Sequence, residues 1–444
     1  MSKFLFSTLL MLFLGTTASA VTLNTLPDTT LTVIDKGVIS AKMIDAKNKQ
    51  YAGDYRGALN TYREVLTIDK SNAMANFRIA ECHYELNNWE LSKEYLDKAI
   101  AIEEKVSTDV DYLYGKILHR LEKLDDAIAK LEAYKASLKP ELVKSSDVDF
   151  HLGQLRSAKE LVAKPLAVTI KNAGAHLNSK YDDYSPVIAP DGKIIYFTSR
   201  RPQGTGGQKA GDDVYFEDIY FTTLTEDGNW AEAEQVEGKL NTDEFDNCSH
   251  LSTDGNTMYI TQNIARYTKS SDLAVAKLTK SGKWNMAKLM PKGLNSSYFD
   301  ACPTLSPDEK TLYFVSERNG EKYGSDIFKS TKNGSKWAPP IPVANLNTEE
   351  NETTVWLHPN MKWLFFSSRG HDSMGGYDIF MAEWTGTNWG SPRNLGYPIN
   401  SVNDDTHFRI SPDGKYALFA SQRPGGVGGR DIYMVDISTI DWLK

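Results

Sequence analysis

The feature that most constrains the fold is a repeat of about 53 residues in the second half of the sequence. Each unit begins with a short turn motif, such as Pro412-Asp413-Gly414, and an apolar strand pattern of about eight residues follows the turn. An Asp-Gly pair between two strands supplies the positive φ angles of a tight hairpin. The residues at the head of the five turns are Pro190, Thr253, Pro307, Pro359 and Pro412.

Two further markers recur at nearly fixed distances after the turns, except in the first unit, where an insertion of about nine residues precedes them. A later strand begins at Asp218, Asp272, Asp326, Asp378 and Asp431, and a tryptophan follows at Trp230, Trp284, Trp337, Trp389 and Trp442. Units of this length with several short strands are typical of a β-propeller, in which each unit forms one blade. The sequence therefore predicts a propeller of five blades, with the tryptophans packed between them.

A ring of blades must close, and the sequence suggests how. The fifth tryptophan lies two residues before Lys444, where each earlier unit still has an outer strand to come. The segment "PLAVTIKNAG" at 165–174 precedes the first unit and can supply that strand. We expect a fifth blade shared between two distant parts of the chain. Six blades remain the alternative if residues 21–38 or a partner supply another.

The first half of the sequence has a different repeat, with helical periodicity and intervals of 34 and 35 residues. Small residues recur in two series, and a large residue recurs at the turn between them. This pattern predicts helix-turn-helix repeats, because small side chains let paired helices approach closely. The first series is Ala46, Ala80 and Gly115; the second is Ala58, Ser92 and Ala127; the large residues are Tyr55, Trp89 and Leu124.

Three such repeats are expected, and an amphipathic segment at 146–164 is expected to cover the last apolar face as a capping helix before Pro165. The fold class is therefore α+β multidomain, with an all-α solenoid followed by an all-β propeller. The expected domains are the helical region at 39–164 and the propeller at 165–444. Residues 21–38 form an N-terminal extension.

Residues 1–20 have the order of a secretory signal peptide: Lys3, an apolar run, and Ala18-Ser19-Ala20. The run is too short to span a bilayer, and no later segment is long enough. We expect export to the periplasm with no membrane span. Cys82, Cys248 and Cys302 are interpreted as structural thiols, although a bridge between Cys248 and Cys302, in neighbouring units, stays open.

Composition and motifs argue against two function classes. The formal net charge of −8 excludes a general nucleic-acid binder, which needs a basic surface. The sequence has no G-x-S-x-G, no H-E-x-x-H and no Walker loop, and no pair of its eight histidines has metal-ligand spacing. We expect a non-enzymatic chain with no cofactor and no metal.

Each propeller unit also carries an Asn, then Ser or Thr, and an acidic residue five positions after the Asn. The acidic residues are Asp183, Asp246, Asp300, Glu352 and Asp405. Because they precede the innermost strand, a propeller gathers them around one mouth of its channel. Two interpretations remain: each carboxylate caps its own loop, or the five form a site for a cation or a basic peptide.

The glycine-rich stretch "RPGGVGGRDIY" at 423–433 invites comparison with a phosphate-binding loop. Counterparts occur at 201–207 and 369–380, always between two strand patterns of one unit. A phosphate cradle needs a helix N-terminus after the loop. A strand is expected here instead, so we interpret the stretch as an exposed inter-strand loop.

The helical stretch "YAGDYRGALNTYREVLTI" resembles the tetratricopeptide repeat, with Gly53, Tyr55, Ala58 and Tyr62 at that family's positions. In that family the first helix of each pair lines a concave groove that holds a peptide. The resemblance implies a partner-binding groove formed by Lys47, Tyr51, Phe77, Glu81, Tyr84, Tyr112, Lys116 and Arg120. The alternative is that this array only packs against the second domain.

The strand set "SPDGKYALFASQRPGGVGGRDIYMVDI" resembles the propeller repeat of TolB-like and related WD-like domains. The combination with tetratricopeptide repeats resembles the front part of the PorE-type periplasmic component of type IX secretion. The OmpA-like domain of that family is missing from this sequence, so peptidoglycan binding is not expected from it. The resemblance implies a periplasmic scaffold whose partners are envelope or secretion-system proteins. The alternative is a glycan or small-molecule sensor or hydrolase that uses the acidic channel mouth.

Overall fold

A computed structural model describes residues 31–210, 214–263, 270–320 and 324–440. The predicted signal peptide and Trp442 lie outside the described residues. Within them, helices fill the chain up to residue 162 and strands follow from residue 170 onward. The predicted fold class is confirmed: tetratricopeptide-like helices precede a five-bladed propeller of small antiparallel sheets.

The described part of the chain contains eight helices, and the first six form three antiparallel pairs. The first begins at Val33, inside the segment predicted as an extension, because Thr32 and Asp35 form a capping box there. The helices are α1 (Val33–Tyr51), α2 (Tyr55–Ile68), α3 (Ala73–Glu85), α4 (Trp89–Ile102), α5 (Val110–Arg120), α6 (Leu124–Ser137), α7 (Pro140–Ser145) and α8 (Val148–Val162).

Small residues let the helices of each pair approach, as the periodicity predicts. Ala46, Ala58 and Ala80 are fully buried. A Cβ added at Gly115 would lie 2.6 Å from Cγ of Leu131, so glycine is required where α5 crosses α6. Helix α8 packs on α6 and α5 and covers the last apolar face.

Five sheets form the propeller; in blades 1 to 4 the inner strand comes first in the chain, and in blade 5 the inner strand is β19. Strand β1 (Ile170–Asn172) precedes the first blade. Blade 1 contains β2 (Asp183–Ile188), β3 (Ile194–Ser199), β4 (Asp218–Thr223) and β5 (Glu234–Gln235); blade 2 contains β6 (Phe245–Leu251), β7 (Thr257–Asn263), β8 (Asp272–Lys277) and β9 (Lys288–Leu289); blade 3 contains β10 (Asp300–Leu305), β11 (Thr311–Ser316), β12 (Asp326–Asn333), β13 (Lys336–Trp337) and β14 (Ile341–Pro342); blade 4 contains β15 (Glu352–Leu357), β16 (Trp363–Ser368), β17 (Asp378–Glu383) and β18 (Arg393–Asn394); blade 5 contains β19 (Asp405–Ile410), β20 (Tyr416–Ser421) and β21 (Asp431–Asp436).

The ring closes as the sequence predicts. Strand β1 pairs antiparallel with β21, with Ile170 opposite Val435, so the order in the last sheet is β1-β21-β20-β19. The inner strands β2, β6, β10, β15 and β19 contact one another in turn around the ring. The fifth blade is therefore built from both ends of the propeller segment.

The turns and tryptophans serve the scaffold. The residue after each Asp or Asn of the turn has a positive φ, from 55° at Glu309 to 71° at Gly255. Trp284 of blade 2 meets the Tyr196 ring of blade 1 edge-on, at 5.9 Å between centroids. Trp389 of blade 4 donates from Nε1 to the Tyr313 hydroxyl of blade 3, at 3.2 Å. These two tryptophans pack between blades.

The helical domain contacts the propeller through α5, α6 and α8. Ala158 packs against Met374 and Val402 of the propeller. Three polar side chains of the helices reach propeller loops: His119 Nε2 lies 2.8 Å from the Met374 carbonyl oxygen, Arg120 donates to the Val402 carbonyl at 2.5 Å, and Gln154 donates to Ser373 at 3.1 Å. No helix among the described residues has the length and apolar character needed to span a bilayer.

Candidate functional site

The concave face of the helical array carries a cleft of about 430 Å³ that is rich in tyrosines and carboxylates. Four predicted groove residues line it: Tyr51, Glu81, Tyr112 and Lys116. The structure adds Gln50, Tyr55, Glu85, Asp109, Leu113, Tyr134 and Asp147. The repeat register marks only the first helix of each pair, so it did not predict Tyr134 of α6 or Asp147, which lies at the N-cap position of α8.

Lys116 occupies the centre of this cleft. Its ammonium lies 4.6 Å from the ring centroid of Tyr84 and 5.1 Å from that of Tyr112. A cation held over two aromatic faces is attracted by their quadrupoles. The pair of rings therefore fixes the Lys116 side chain in the cleft.

The remaining charge of the cleft is negative. Asp147 accepts a hydrogen bond from the Tyr112 hydroxyl at 2.5 Å and lies 3.3 Å from Nε2 of His151. The hydrogen bonds from His151 and then from Tyr112 hold the pKa of Asp147 below its ordinary value. Glu85 and Asp109 are exposed carboxylates on the same wall. The lining thus has four carboxylates and one lysine. Arg78 pairs with Glu81 at 2.8 Å, so the exposed carboxylates of Glu85 and Asp109 are the ones that favour a basic ligand.

The other predicted groove residues lie elsewhere. Lys47 is exposed, and its ammonium lies 5.3 Å from the Tyr51 ring centroid. The Tyr84 ring packs against the Lys116 ammonium. Phe77 is fully buried in the helical core and cannot contact a partner. Arg120 points to the propeller, because the Val402 carbonyl accepts its hydrogen bond. The prediction of Phe77 and Arg120 as groove residues is therefore corrected by the packing of α3 and α5.

The five carboxylates predicted at the channel mouth are buried, with no exposed side-chain surface. In blade 1, Asp183 accepts from the backbone N–H and the hydroxyl of Ser179, at 2.5 and 2.7 Å. Asp246, Asp300, Glu352 and Asp405 make the same pair of bonds with Thr242, Ser296, Thr348 and Ser401. Each carboxylate thus caps its own loop. They do not form an open acidic ring, because their oxygens are turned into the loops.

Three of these five carboxylates form an ion pair with an arginine that lies eighteen residues later in the sequence, and the other two have no arginine at that position. Arg318 pairs with Asp300 at 2.7 Å, and Arg201 and Arg423 pair with Asp183 and Asp405 in the same way. The sequence has isoleucine and glycine at the equivalent positions of blades 2 and 4. Burial therefore raises the pKa of both Asp246 and Glu352 to about 7. These two carboxyl groups are protonated over part of the acidic pH range.

The repeated asparagine has a structural role of its own. The Asn241 amide accepts from the Ile219 N–H at 2.9 Å and donates to the Ile219 carbonyl at 3.0 Å, which joins blade 2 to the third strand of blade 1. Asn178, Asn295, Asn347 and Asn400 make the same two bonds with Ile432, Leu273, Ile327 and Ile379. The asparagine of each motif thus joins its blade to the preceding one.

The glycine-rich stretch lies between β20 and β21, so a strand follows it, as predicted. The Asp431 carboxylate accepts from the backbone N–H groups of Val427 and Gly428, at 2.5 and 3.0 Å. These amides are occupied, and a strand, not a helix, follows them in the chain. Gly428 and Gly429 border a cleft of about 790 Å³ that the turn at 53–56 of the helical domain borders on the other side.

The three cysteines are free and buried. Cys248 and Cys302 lie on the neighbouring inner strands β6 and β10, and burial raises the pKa of both thiols to about 12. Cys248 contacts the Ser185 carbonyl oxygen at 3.0 Å. Among the described residues, no group of three or more His, Cys, Asp and Glu side chains is arranged to hold a metal ion.

Comparison with known proteins gives a family match within the helical region. A tetratricopeptide-repeat family profile matches residues 51–117. No curated protein sequence matches the chain. TolB from Acinetobacter baumannii aligns with 59% of this chain at 16% identity and a TM-score of 0.35, and the alignment spans 56% of the TolB chain.

Two further solved structures each align with part of the chain. The type III secretion chaperone SycD of Yersinia enterocolitica, solved in complex with a peptide of the translocator YopD, aligns with 29% of this chain and 99% of its own, at 16% identity and a TM-score of 0.26. A glycoside hydrolase aligns with 63% of this chain and 94% of its own, at 11% identity and a TM-score of 0.42.

Proposed function

We propose that this chain is a non-enzymatic scaffold that binds a peptide segment of a partner protein in the concave cleft of its helical domain. The observation that carries the proposal is the open cleft around Lys116, with tyrosines on several sides and an excess of carboxylates. Tetratricopeptide repeats use their concave surfaces for protein–protein interaction. The propeller holds one end of the array and leaves this cleft open.

The chemistry of the lining selects the kind of peptide. Tyr51 is 77% exposed, and rigid aromatic side chains supply much of the binding energy in protein interfaces. Glu85 and Asp109 attract cations, while Lys116 can pair with one carboxylate or carbonyl oxygen. The expected ligand is therefore an extended segment that contains Lys or Arg next to apolar residues.

The compartment follows from the sequence of residues 1–20, and we propose the periplasm. We further propose envelope or secretion-system proteins as partners, as in the PorE-type component of type IX secretion that the repeat combination resembles. Fractionation of the native cells, with N-terminal sequencing of the mature chain, tests the compartment. A chain that keeps residues 1–20 in the cytoplasmic fraction would contradict it.

Selection of displayed peptides against the purified chain tests the cleft. Enriched peptides should contain basic and apolar residues, and their affinity should fall about ten-fold in the exposed cleft variants Glu85→Lys and Tyr51→Ala. Glu160→Lys, an exposed change on α8 outside the cleft, serves as the matched charge control. Failure to enrich any peptide, or equal binding by Glu85→Lys and the parent chain, would overturn the proposal.

A further inference from the structure

A second pocket, of about 300 Å³, opens at the other end of the propeller channel, beside the turns that join the first and second strands of the blades. Residues of all five blades line it, and the five residues that head the turns form its rim. Its wall is largely apolar, with Leu305, Leu357 and Trp356 among the lining side chains. The size and lining are those of a site for a small molecule.

Arg409 is the charged group inside this pocket. It is only 4% exposed. Its guanidinium donates to the backbone carbonyls of Phe408 and Ser249, at 3.0 and 3.1 Å, and lies 5.5 Å from the Trp356 ring centroid. Nε has no hydrogen-bond partner among the described residues. Since a guanidinium has five N–H donors, these two bonds leave donor capacity that a ligand in the pocket can use.

The Arg409 guanidinium forms no ion pair with the described residues within the pocket. The three arginines next to loop carboxylates, Arg201, Arg318 and Arg423, each form an ion pair, but Arg409 has no carboxylate partner among the described residues. Glu309, the one carboxylate on the pocket lining, interacts with the Tyr259 hydroxyl at the rim. A buried charge without a counter-ion is unfavourable, and a bound anion relieves that.

The imidazoles and thiols near Arg409 add no further charge to the pocket. Burial lowers the pKa of His250 to about 3, and burial also lowers the pKa of His358. Both imidazoles are therefore neutral at neutral pH, as are the Cys248 and Cys302 thiols nearby. Arg409 is thus the one positive charge among the described lining residues, and the Glu309 carboxylate at the rim opposes a second negative charge, so a monoanion fits better than a phosphate dianion.

We propose that this pocket binds a small organic monocarboxylate, with its carboxylate on the Arg409 guanidinium and its apolar part against Trp356 and the two leucines. The bidentate geometry of a guanidinium fits a carboxylate. This site is independent of the helical cleft and lies among the turns, away from the loop carboxylates. It gives the propeller a ligand-binding role that the helical scaffold does not require.

The first experiment uses matched pairs of an acid and its neutral amide: acetate, hexanoate, phenylacetate and indole-3-acetate against the four corresponding amides. In the full chain labelled with ¹⁵N-arginine, an acid of the panel should shift the Arg409 Nε–H resonance with roughly millimolar affinity. Its amide should bind at least about ten-fold more weakly. If no acid shifts this resonance, or if acids and amides bind equally, the proposal is wrong.

The second experiment removes the charge. Arg409→Met loses two hydrogen bonds to the Phe408 and Ser249 carbonyls, but it should fold because it leaves no carboxylate without its partner. It should lose acid binding at least about ten-fold. Arg156→Met, an exposed change on α8, should bind like the parent chain. Retained acid binding by a folded Arg409→Met variant would overturn the proposal. If that variant does not fold, the shift of the Arg409 resonance in the parent chain decides the question alone.

Discussion

Gly428 of the last blade lies directly against Ser179 of the first blade. A Cβ added at Gly428 would lie 2.3 Å from the Ser179 carbonyl oxygen and 2.3 Å from that of Tyr181. The same close approach recurs where Gly375 of blade 4 meets Val402 of blade 5, at 2.1 Å. Gly428 and Gly375 of the repeated loop are therefore spacers at the seams between blades.

Gly428→Ala should destabilise the propeller, because backbone atoms of the first blade cannot yield to the added methyl group. We expect a loss of about 1–3 kcal/mol in the free energy of unfolding, the usual effect of overpacking. Denaturant unfolding at constant pH measures it. Gly153→Ala on α8, where nothing lies within 4 Å of an added Cβ, is the control and should leave stability equal or higher. Equal stability of Gly428→Ala and the parent chain would contradict this role.

Arg120→Met should loosen the contact between the helical domain and the propeller. The substitution removes the hydrogen bond to the Val402 carbonyl, which leaves that oxygen without its charged donor. We expect a loss of about 1–3 kcal/mol and faster hydrogen exchange in α5 and around residues 373 and 402. Exchange measured by mass spectrometry checks this, with Arg156→Met as the exposed control. Unchanged exchange at all three places would show that the contact contributes nothing.

Asn172→Ala should open the closure of the ring. The Asn172 amide donates to Asp431 at 2.7 Å and accepts from the Gly174 N–H and the Asn178 side chain. Asn394 in blade 4 makes the same three bonds with Asp378, Gly396 and Asn400. Both alanine variants should lose about 1–3 kcal/mol. Only Asn172→Ala should speed hydrogen exchange in β1 and β21, and faster exchange there in Asn394→Ala as well would argue against a local closure.

The repeats made the fold predictable, because five copies of one pattern average out local ambiguity. The closing strand followed from counting elements around the ring, and β1 lies where the count placed it. The direction in which an individual side chain points could not be predicted from the repeats. Phe77 and Arg120 have the sequence register of groove residues, but tertiary packing turns one into the core and the other to the propeller.

The pocket around Arg409 was missed, although a signal was present. Arg409 lies three residues before the turn head, where the other units have Val187, His250, Thr304 and Trp356. The next residue is Ile or Leu in all five units, whereas this position changes in size and charge. A variable position in a regular repeat marks a surface that the scaffold does not determine. Sequence reasoning searched for shared residues and so passed over it.

Stability should decrease with rising pH because of Asp246. An aspartate in the unfolded chain has a pKa of about 3.9, whereas burial raises the pKa of Asp246 to about 7 in the folded chain. Between these values the folded chain holds a proton that the unfolded chain has released. The contribution to stability is therefore complete below the unfolded pKa and is lost as the pH rises through about 7, with a slope of about 1.4 kcal/mol per pH unit for one proton.

Asp246→Asn should remove this dependence and keep the fold. The new amide can still accept from Thr242, and a flipped Gln262 can accept from it, because Gln262 Oε1 has no partner in the parent structure. The variant should gain stability relative to the parent as the pH rises from 5 to 8, measured by denaturant unfolding at each pH. Asp300→Asn is the contrast: it leaves Arg318 without its carboxylate and should lose about 3 kcal/mol at neutral pH. Parallel pH profiles of Asp246→Asn and the parent chain would show that Asp246 is ionised throughout this range and that its burial does not control its charge.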